Sequence, residues 1–242
     1  MRKVIENMDY SKINGLSKNA GIAGFMYLMF IITTILADIL GNIGFGDVTT
    51  IANTIISNNF QFQLSFIFSL FSAVFFLLAA WFLYKLLKHV NENIALLFLL
   101  LNLGGVIIQC ISTLNLISAM TVLSGANYLQ TIPANQLQAQ AMLFIEIYKN
   151  GFNMAQIFYG AWVLPLGYLI FKSRFFPKIL GILLMTDCFA ILTYFLQFFL
   201  FPEYTLISYP CYVISAISEF LLTFWLLFKG YKSNNTLKTE IN

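Results

Sequence analysis

The sequence predicts an all-α membrane protein, a bundle of six transmembrane helices with both termini in the cytoplasm. The chain is 60% hydrophobic and 10% charged, whereas a soluble domain is about half apolar and about a quarter charged. It contains six apolar segments of about 20 residues, the length that a helix needs to cross roughly 30 Å of hydrocarbon. Its basic residues are concentrated in every second loop, and this pattern indicates the orientation of the chain in the membrane.

Each apolar segment is expected to be a helix, because lipid cannot satisfy an open backbone and because the segments lack the alternation of barrel strands. They form one domain over residues 20–229, between a cytoplasmic segment of residues 1–19 and a cytoplasmic tail of residues 230–242. In chain order the predicted spans are Ala20–Leu40, Leu64–Tyr84, Ile94–Leu116, Phe152–Phe171, Ile179–Leu200 and Leu206–Phe228.

The first span is expected to be retained. A cleavable signal peptide has an apolar region of about 7–15 residues followed by a small-residue cleavage site. The apolar run here is longer and continues directly to Asp38.

The second, fourth and sixth spans end in the same five-residue motif. It consists of an aromatic residue, two apolar residues, a second aromatic residue and a lysine. Aromatic rings settle at the headgroup level and a lysine reaches into the water beyond it, so the motif predicts interface anchors. The first and last residues of the three copies are Trp81 and Lys85, Tyr168 and Lys172, and Trp225 and Lys229.

The distribution of basic residues predicts cytoplasmic termini. With the N-terminus in the cytoplasm, all of the 13 lysines and arginines except Lys149 lie on the cytoplasmic side. Basic residues accumulate in short cytoplasmic segments, so this orientation is the expected one. The outer segments Gly46–Phe60 and Pro133–Asn150 are expected to form surface helices. They either connect the spans or cover an outward cavity.

The third, fifth and sixth spans carry polar stripes at helical spacing, which imply a shared interior. The third span has Asn102, Gly105, Gln109 and Ser112; the fifth has Asp187, Ala190, Tyr194 and Gln197; the sixth has Ser208, Cys211, Ser215, Ser218, Glu219 and Thr223.

Two acids stand out within these stripes. Asp187 lies ten residues after Pro177 and Glu219 ten before Lys229, which places both about 15 Å from the cytoplasmic end. Intramembrane acids cost at least about 2.5 kcal/mol on insertion scales and usually face the bundle. No basic residue lies within any span, so the acids are expected to hold a proton or a cation, or to hydrogen bond as structural ties. The candidate ion- or ligand-binding residues are Asp187, Glu219, Asn102, Gln109, Tyr194 and Gln197.

The sequence gives no sign of catalysis. It has none of the hydrolase, metalloprotease, P-loop or dinucleotide motifs. With one histidine and cysteines at Cys110, Cys188 and Cys211, it lacks the spacing of a zinc site or a disulfide framework. We therefore expect no catalytic residues, no metal and no cofactor, and the cysteines are expected to be small apolar core residues.

Four stretches resemble a known family. They are "GIAGFMYL" (21–28), "LYKLLKHVNENIALL" (83–97), "YGAWVLPLGYLIFKSRFFPKILGILL" (159–184) and "SEFLLTFWLLFKG" (218–230). Together they are similar to domain-of-unknown-function family 4386. The resemblance implies a bacterial integral membrane protein and carries no activity with it.

Two functional classes follow from these observations. The first, which the sequence favours, is a structural or accessory membrane protein that packs against lipid, a second copy or a partner membrane protein. The second is a small proton- or cation-coupled carrier, or a ligand-binding membrane protein, that uses the midplane acids. The expected localisation is the bacterial plasma membrane, and no nucleic-acid partner is expected, because membrane topology already accounts for the cytoplasmic basic residues.

Overall fold

The computed structural model describes the backbone of residues 2–44, 46–173 and 175–241, and the side chains of residues 15–16, 18–44, 46–127, 129–173 and 175–228. This part of the chain is helical and has no strand. The α-helices are α1 (Arg2–Gly41), α2 (Val48–Ser57), α3 (Asn59–Leu87), α4 (Glu92–Leu123), α5 (Ala134–Lys172), α6 (Lys178–Leu200) and α7 (Ser208–Ile241). Two single 3-10 turns, Asn127–Leu129 and Thr205–Ile207, precede α5 and α7.

The six predicted spans are confirmed. Within the described residues, six helical stretches are long and apolar enough to cross a membrane. They are Lys18–Gly41, Asn59–Leu87, Glu92–Leu123, Ala134–Lys172, Lys178–Leu200 and Thr205–Phe228. The protein is therefore an all-α, multi-pass membrane protein.

Two boundaries differ from the expectation. The Gln-rich segment Pro133–Asn150 does not form a separate surface helix, because it is the first part of the 39-residue helix α5. No proline separates Ala134 from Phe152, and the one glycine, Gly151, costs a helix only about 1 kcal/mol, so the fourth span begins well before its predicted start. The backbone of α1 is likewise helical from Arg2 onward.

Some predicted residues fall outside the described side chains. These are the anchor Lys229, the whole tail of residues 230–242, and residues 1–14 and 17 of the N-terminal segment.

The chain divides into two compact units. The first comprises Met1–Leu28, Phe75–Leu103 and Ile157–Asn242, and the second comprises Met29–Val74 and Gly104–Gln156. The first unit thus contains α6 and α7 completely, together with one part each of α1, α3, α4 and α5.

Glycines allow close helix packing in the first unit. A Cβ atom on Gly181 of α6 would lie 2.7 Å from the carbonyl oxygen of Gly167 and 2.6 Å from the backbone nitrogen of Phe171, both on α5. A Cβ on Gly24 of α1 would lie 2.8 Å from the backbone nitrogen of Leu227 on α7. Because real Cβ atoms do not approach so closely, glycine is needed where α5 meets α6 and where α1 meets α7.

The second unit has its own apolar core, into which α2 packs. Ile51 and Ile55 on α2 are at most 2% exposed, and they lie in one cluster with Phe62 of α3, Leu116 of α4 and Ile145 of α5. The helix expected within Gly46–Phe60 is therefore present, and its apolar face is buried rather than lying on a surface.

Polar contacts hold the loop before α2. Asn42 has a positive φ of 54° and donates from its amide to the hydroxyl of Thr54 at 3.2 Å. The ammonium group of Lys149 donates to the carbonyl of Gly46 at 2.7 Å. Asp47 caps α2 by accepting from the backbone N–H of Thr50 at 2.6 Å. This hydrogen bond, with a smaller effect from the nearby Lys149, lowers the pKa of Asp47 below its usual value.

Candidate functional site

The first residue of the candidate site is Asp187, in the middle of α6. Its side chain is 1% exposed. The hydroxyl of Ser215 on α7 donates to its Oδ1 oxygen at 2.5 Å. Its Oδ2 oxygen is buried and has no hydrogen-bond partner among the residues that the structure describes. One oxygen of this carboxyl group therefore binds α7 while the other is left unsatisfied.

The second residue is Glu219, one helical turn after Ser215 on the same face of α7. The hydroxyl of Tyr27 on α1 donates to its carboxyl group. Tyr27 is 1% exposed. The two acids thus connect three helices, with α7 in contact with α6 through Asp187 and with α1 through Glu219.

The register of α6 and α7 places the two acids at the same level. The rings of Tyr194 on α6 and Tyr212 on α7 lie 5.1 Å apart. Asp187 lies seven residues before Tyr194, and Glu219 lies seven residues after Tyr212. Seven residues are about two helical turns. Because α6 and α7 run in opposite directions, two turns from the tyrosine pair toward each acid reach the same depth in the membrane. The two carboxyl groups are close enough to interact electrostatically.

An aromatic cluster packs beside Tyr27. The ring of Phe76 on α3 makes edge contacts with Tyr27 at 5.8 Å, with Tyr159 at 5.3 Å and with Trp162 at 5.1 Å between centroids. Trp162 in turn lies 6.2 Å from Phe98 on α4. These rings are buried, so one side of the acid pair is apolar and sheltered from water.

Asn102 continues the same buried face of α4, one turn after Phe98. Its side chain is 0% exposed. Neither its amide nitrogen nor its amide oxygen has a hydrogen-bond partner within the described part of the chain. Buried polar groups are nearly always hydrogen-bonded, so this amide requires a functional or structural explanation.

Polar contacts also join α6 and α7 nearer to their connecting turn. The hydroxyl of Ser208 donates to the side-chain oxygen of Gln197 at 2.6 Å. The amide nitrogen of Gln197 donates to the carbonyl of Phe201 at 3.1 Å. Both side chains are buried, at 5% and 6% exposure for Gln197 and Ser208. The Tyr194 and Tyr212 hydroxyls hydrogen bond to each other between this pair and the acids.

The structure brings most of the predicted site residues into one unit. Asp187 and Glu219 interact electrostatically, and Tyr194 and Gln197 lie along the contact between α6 and α7. Asn102 lies in the same unit, beside the aromatic cluster. Gln109 belongs to the second unit.

Four residues that touch the predicted set were not among the site candidates, namely Tyr27, Ser208, Tyr212 and Ser215. Ser215 carried a usable signal, because it lies four residues before Glu219 on the polar stripe of the sixth span. Tyr27 carried none, since its contact with Glu219 depends on how α1 packs against α7.

The aromatic residues predicted as anchors differ in their contacts and exposure among the three copies of the motif. The ammonium group of Lys85 lies 5.1 Å from the Trp81 ring, and that of Lys172 lies 5.8 Å from the Tyr168 ring. Trp81 and Tyr168 are 42% and 40% exposed. The third aromatic residue, Trp225, is half-buried. Its indole N–H is buried without a partner among the described residues.

Comparisons with known proteins address the family of the chain. Neither a curated protein nor a solved structure matches it. One family model, described as "Domain of unknown function (DUF4386)", matches residues 22–230. This match covers all six spans almost completely and agrees with the resemblance of the four stretches named above. The chain belongs to the DUF4386 family.

Proposed function

We propose that this protein is a small proton-coupled carrier of the bacterial plasma membrane, in which the Asp187–Glu219 pair takes up and releases a proton. The observation that carries the proposal is the position of these two acids at one level, with Asp187 buried, Glu219 half-buried and no lysine, arginine or histidine among the groups that interact with either carboxyl group. The proposed role is not enzymatic. Six spans are few for a carrier, so we expect it to act as a homodimer.

The charge of the pair supports this role. An ionised carboxylate in an apolar medium is very unfavourable unless it is paired, and such a group neutralises instead. Two facing carboxylates would also repel each other. The pair is therefore expected to hold at least one proton or cation at neutral pH.

A proton fits the surroundings better than a metal ion. Calcium takes about six to eight oxygen ligands. The described residues contain no group of three His, Cys, Asp or Glu side chains that could hold a metal. A proton needs only the two carboxyl groups and the hydroxyls of Tyr27 and Ser215.

Infrared spectroscopy of the purified protein in lipid tests the proposal. The parent is expected to show the carbonyl band of a protonated carboxylic acid at neutral pH, and the band is expected to weaken or shift in Asp187→Asn and in Glu219→Gln. Glu203→Gln, which removes an exposed carboxyl group in the turn between α6 and α7, is the matched control and should leave the band unchanged. If the parent shows no such band, the proposal is wrong.

A structural or accessory role is the second candidate, and it also has a specific observation in its favour. Ser215 holds Asp187 and Tyr27 holds Glu219, so the acids tie α6 and α1 to α7. In that case Glu219→Gln should keep the Tyr27 contact and lower stability only slightly. The protein should then co-purify with a partner membrane protein, and its thermal stability should not respond to pH through these acids.

The localisation and orientation are part of the proposal. The family resemblance supports a bacterial source. The basic residues support cytoplasmic termini, because all except Lys149 of the 13 would then lie on the cytoplasmic side.

A further inference from the structure

We infer that the proton enters at the turn that connects α6 and α7 and reaches the acid pair along the polar contact between these two helices. This inference rests on the proposed function, and it assigns positioning roles to residues outside the acid pair. We call the route the α6–α7 seam, and define it as Gln197, Ser208, Tyr194, Tyr212 and Ser215.

The polar residues of α7 in the seam share one face of the helix. Ser208, Tyr212, Ser215 and Glu219 follow one another at intervals of four, three and four residues. Residues at this spacing are neighbours on a helix surface, with about 5–6 Å between their Cβ atoms. The seam therefore places a hydroxyl group at every turn between the connecting turn and the acids.

Each level of the seam is a contact between the two helices. Ser208 donates to Gln197 at 2.6 Å nearest the connecting turn. Tyr194 and Tyr212 hydrogen bond to each other at the next level. Ser215 donates to Asp187 at the acid pair.

Hydroxyl groups are suited to relaying a proton because each both donates and accepts a hydrogen bond. A hydroxyl in the seam accepts a proton on a lone pair and releases its own proton to the next acceptor, with ordered water bridging the gaps between levels. The net result is the transfer of one proton from a hydronium ion in the water at the connecting turn to Oδ1 of Asp187, the oxygen to which Ser215 donates. Every hydroxyl regains its starting state.

Beyond the acids, the buried side chains of α6 and α7 are apolar except for that of Thr223. Leu222 and Leu226 on α7 are 0% exposed, and Leu180 and Leu184 on α6 are 4% and 2% exposed. Thr223, which is also buried here, donates its hydroxyl to the carbonyl of Glu219 in its own helix. The polar seam thus leads to the acids from one side only, which favours access from the connecting turn.

Among the residues that the structure describes, three other titratable groups interact electrostatically with the acid pair, namely Tyr27 of α1, Cys188 of α6 and Cys211 of α7. Phe76 and Trp162, which line the neighbouring aromatic cluster, do not titrate. Proton exchange measured at the pair around neutral pH therefore reports the two carboxyl groups.

The test is the rate at which the infrared band of the buried carboxylic acid shifts when the full-length protein in lipid is moved into deuterated water. Tyr194→Phe combined with Tyr212→Phe removes both hydroxyls of the middle level and keeps both rings. We expect this variant to exchange at least about tenfold more slowly than the parent, with the position and size of the band unchanged. The matched control is Tyr168→Phe, which removes a hydroxyl near the last turn of α5, outside the α6–α7 seam. This variant should exchange at the parent rate.

Each outcome separates the route from the function. A band that is present and exchanges at the parental rate in the double variant would overturn the α6–α7 seam and leave the proton-binding pair intact. Absence of the band in the parent would overturn both. If the double variant does not fold, Ser208→Ala alone, at the level nearest the connecting turn, provides the same comparison.

Discussion

At the residue scale, the most informative feature of this protein is its small set of buried polar atoms that lack a partner. Within the described residues they are both amide atoms of Asn102, Oδ2 of Asp187 and the indole nitrogen of Trp225. An unsatisfied buried polar group costs about 1–3 kcal/mol. Residues that carry this cost inside a membrane are expected to be kept for function.

Asn102→Leu measures how the unpaired amide affects the free energy of unfolding. Leucine is the apolar residue closest in shape to asparagine, so the substitution removes two unsatisfied atoms while keeping the site filled. We expect it to raise the free energy of unfolding by about 1–3 kcal/mol, observed as a higher Tm in thermal unfolding of the purified protein. Asn150→Leu, at an exposed position of α5, is the control and should change the free energy by no more than about 0.5 kcal/mol.

A lower Tm for Asn102→Leu would contradict this expectation. It would mean that the amide has a partner in the native protein, either a bound water or a ligand, and would place Asn102 within the functional site.

At the element scale, the helices depend on close approach in one region and on capping in another. The contact between α5 and α6 has no room for a side chain at Gly181, because the atoms nearest to an added Cβ belong to the backbone of α5. A flexible side chain could move aside, but a helix backbone cannot move without displacing its neighbours.

Gly181→Ala is therefore expected to lower the free energy of unfolding by about 1–3 kcal/mol, observed as a lower Tm. The matched control is Gly15→Ala in α1, where an added Cβ would meet nothing within 4 Å. Alanine is the better helix former, so this control should leave stability unchanged or raise it by roughly 0.5–1 kcal/mol. Equal effects of the two substitutions would show that the close contact between α5 and α6 is absent.

The cap of α2 gives a pH dependence with a definite sign. The pKa of Asp47 is lowered in the folded protein, chiefly by the hydrogen bond from the Thr50 N–H. The stabilisation is therefore present above the unfolded-state pKa of about 3.9. It is lost as the pH falls through the lower folded-state value.

We expect amide hydrogen exchange in residues 48–57, corrected for its intrinsic pH dependence, to accelerate below about pH 4 in the parent. Asp47→Asn keeps a good capping residue that does not titrate, so the acceleration should be absent. Asp47→Ala should exchange faster at every pH. Parallel pH profiles for the parent and Asp47→Asn would show that Asp47 does not cap α2 through its carboxylate.

The elements also show what could be predicted from the sequence. The six spans could be predicted because an apolar run of sufficient length has few alternatives to a transmembrane helix. The common level of Asp187 and Glu219 could be predicted because the rise per residue is constant and the cytoplasmic ends are marked by anchors. Both predictions use distances along one helix.

The features that escaped prediction depend on contacts between helices. Tyr27 reaches Glu219 through the packing of α1 against α7, and no periodicity in α1 indicates this. Gln109 shares a polar stripe with Asn102, but it lies in the other compact unit. The polar composition of Pro133–Asn150 suggested a surface helix, whereas this segment continues as α5 and buries Ile145 and Tyr148 in the second unit.

At the scale of the whole molecule, the proposed route and function both depend on which side of the membrane each loop faces. The turn between α6 and α7 contains the acidic residue Glu203 and no lysine or arginine, whereas the loop between α3 and α4 contains Lys88 and closely follows Lys85. By the positive-inside rule we expect the first loop outside and the second in the cytoplasm. A proton that enters at the connecting turn of α6 and α7 would therefore come from the outside.

Labelling in intact cells tests this orientation. In a background in which Cys110, Cys188 and Cys211 are replaced by alanine, Glu203→Cys and Asn91→Cys each introduce one thiol at an exposed position. We expect a membrane-impermeant maleimide to label Glu203→Cys in intact cells and to label Asn91→Cys only after the membrane is opened. The reverse pattern would place the termini outside. Because the seam opens at the same turn as Glu203, that result would also make the cytoplasm the source of the proton.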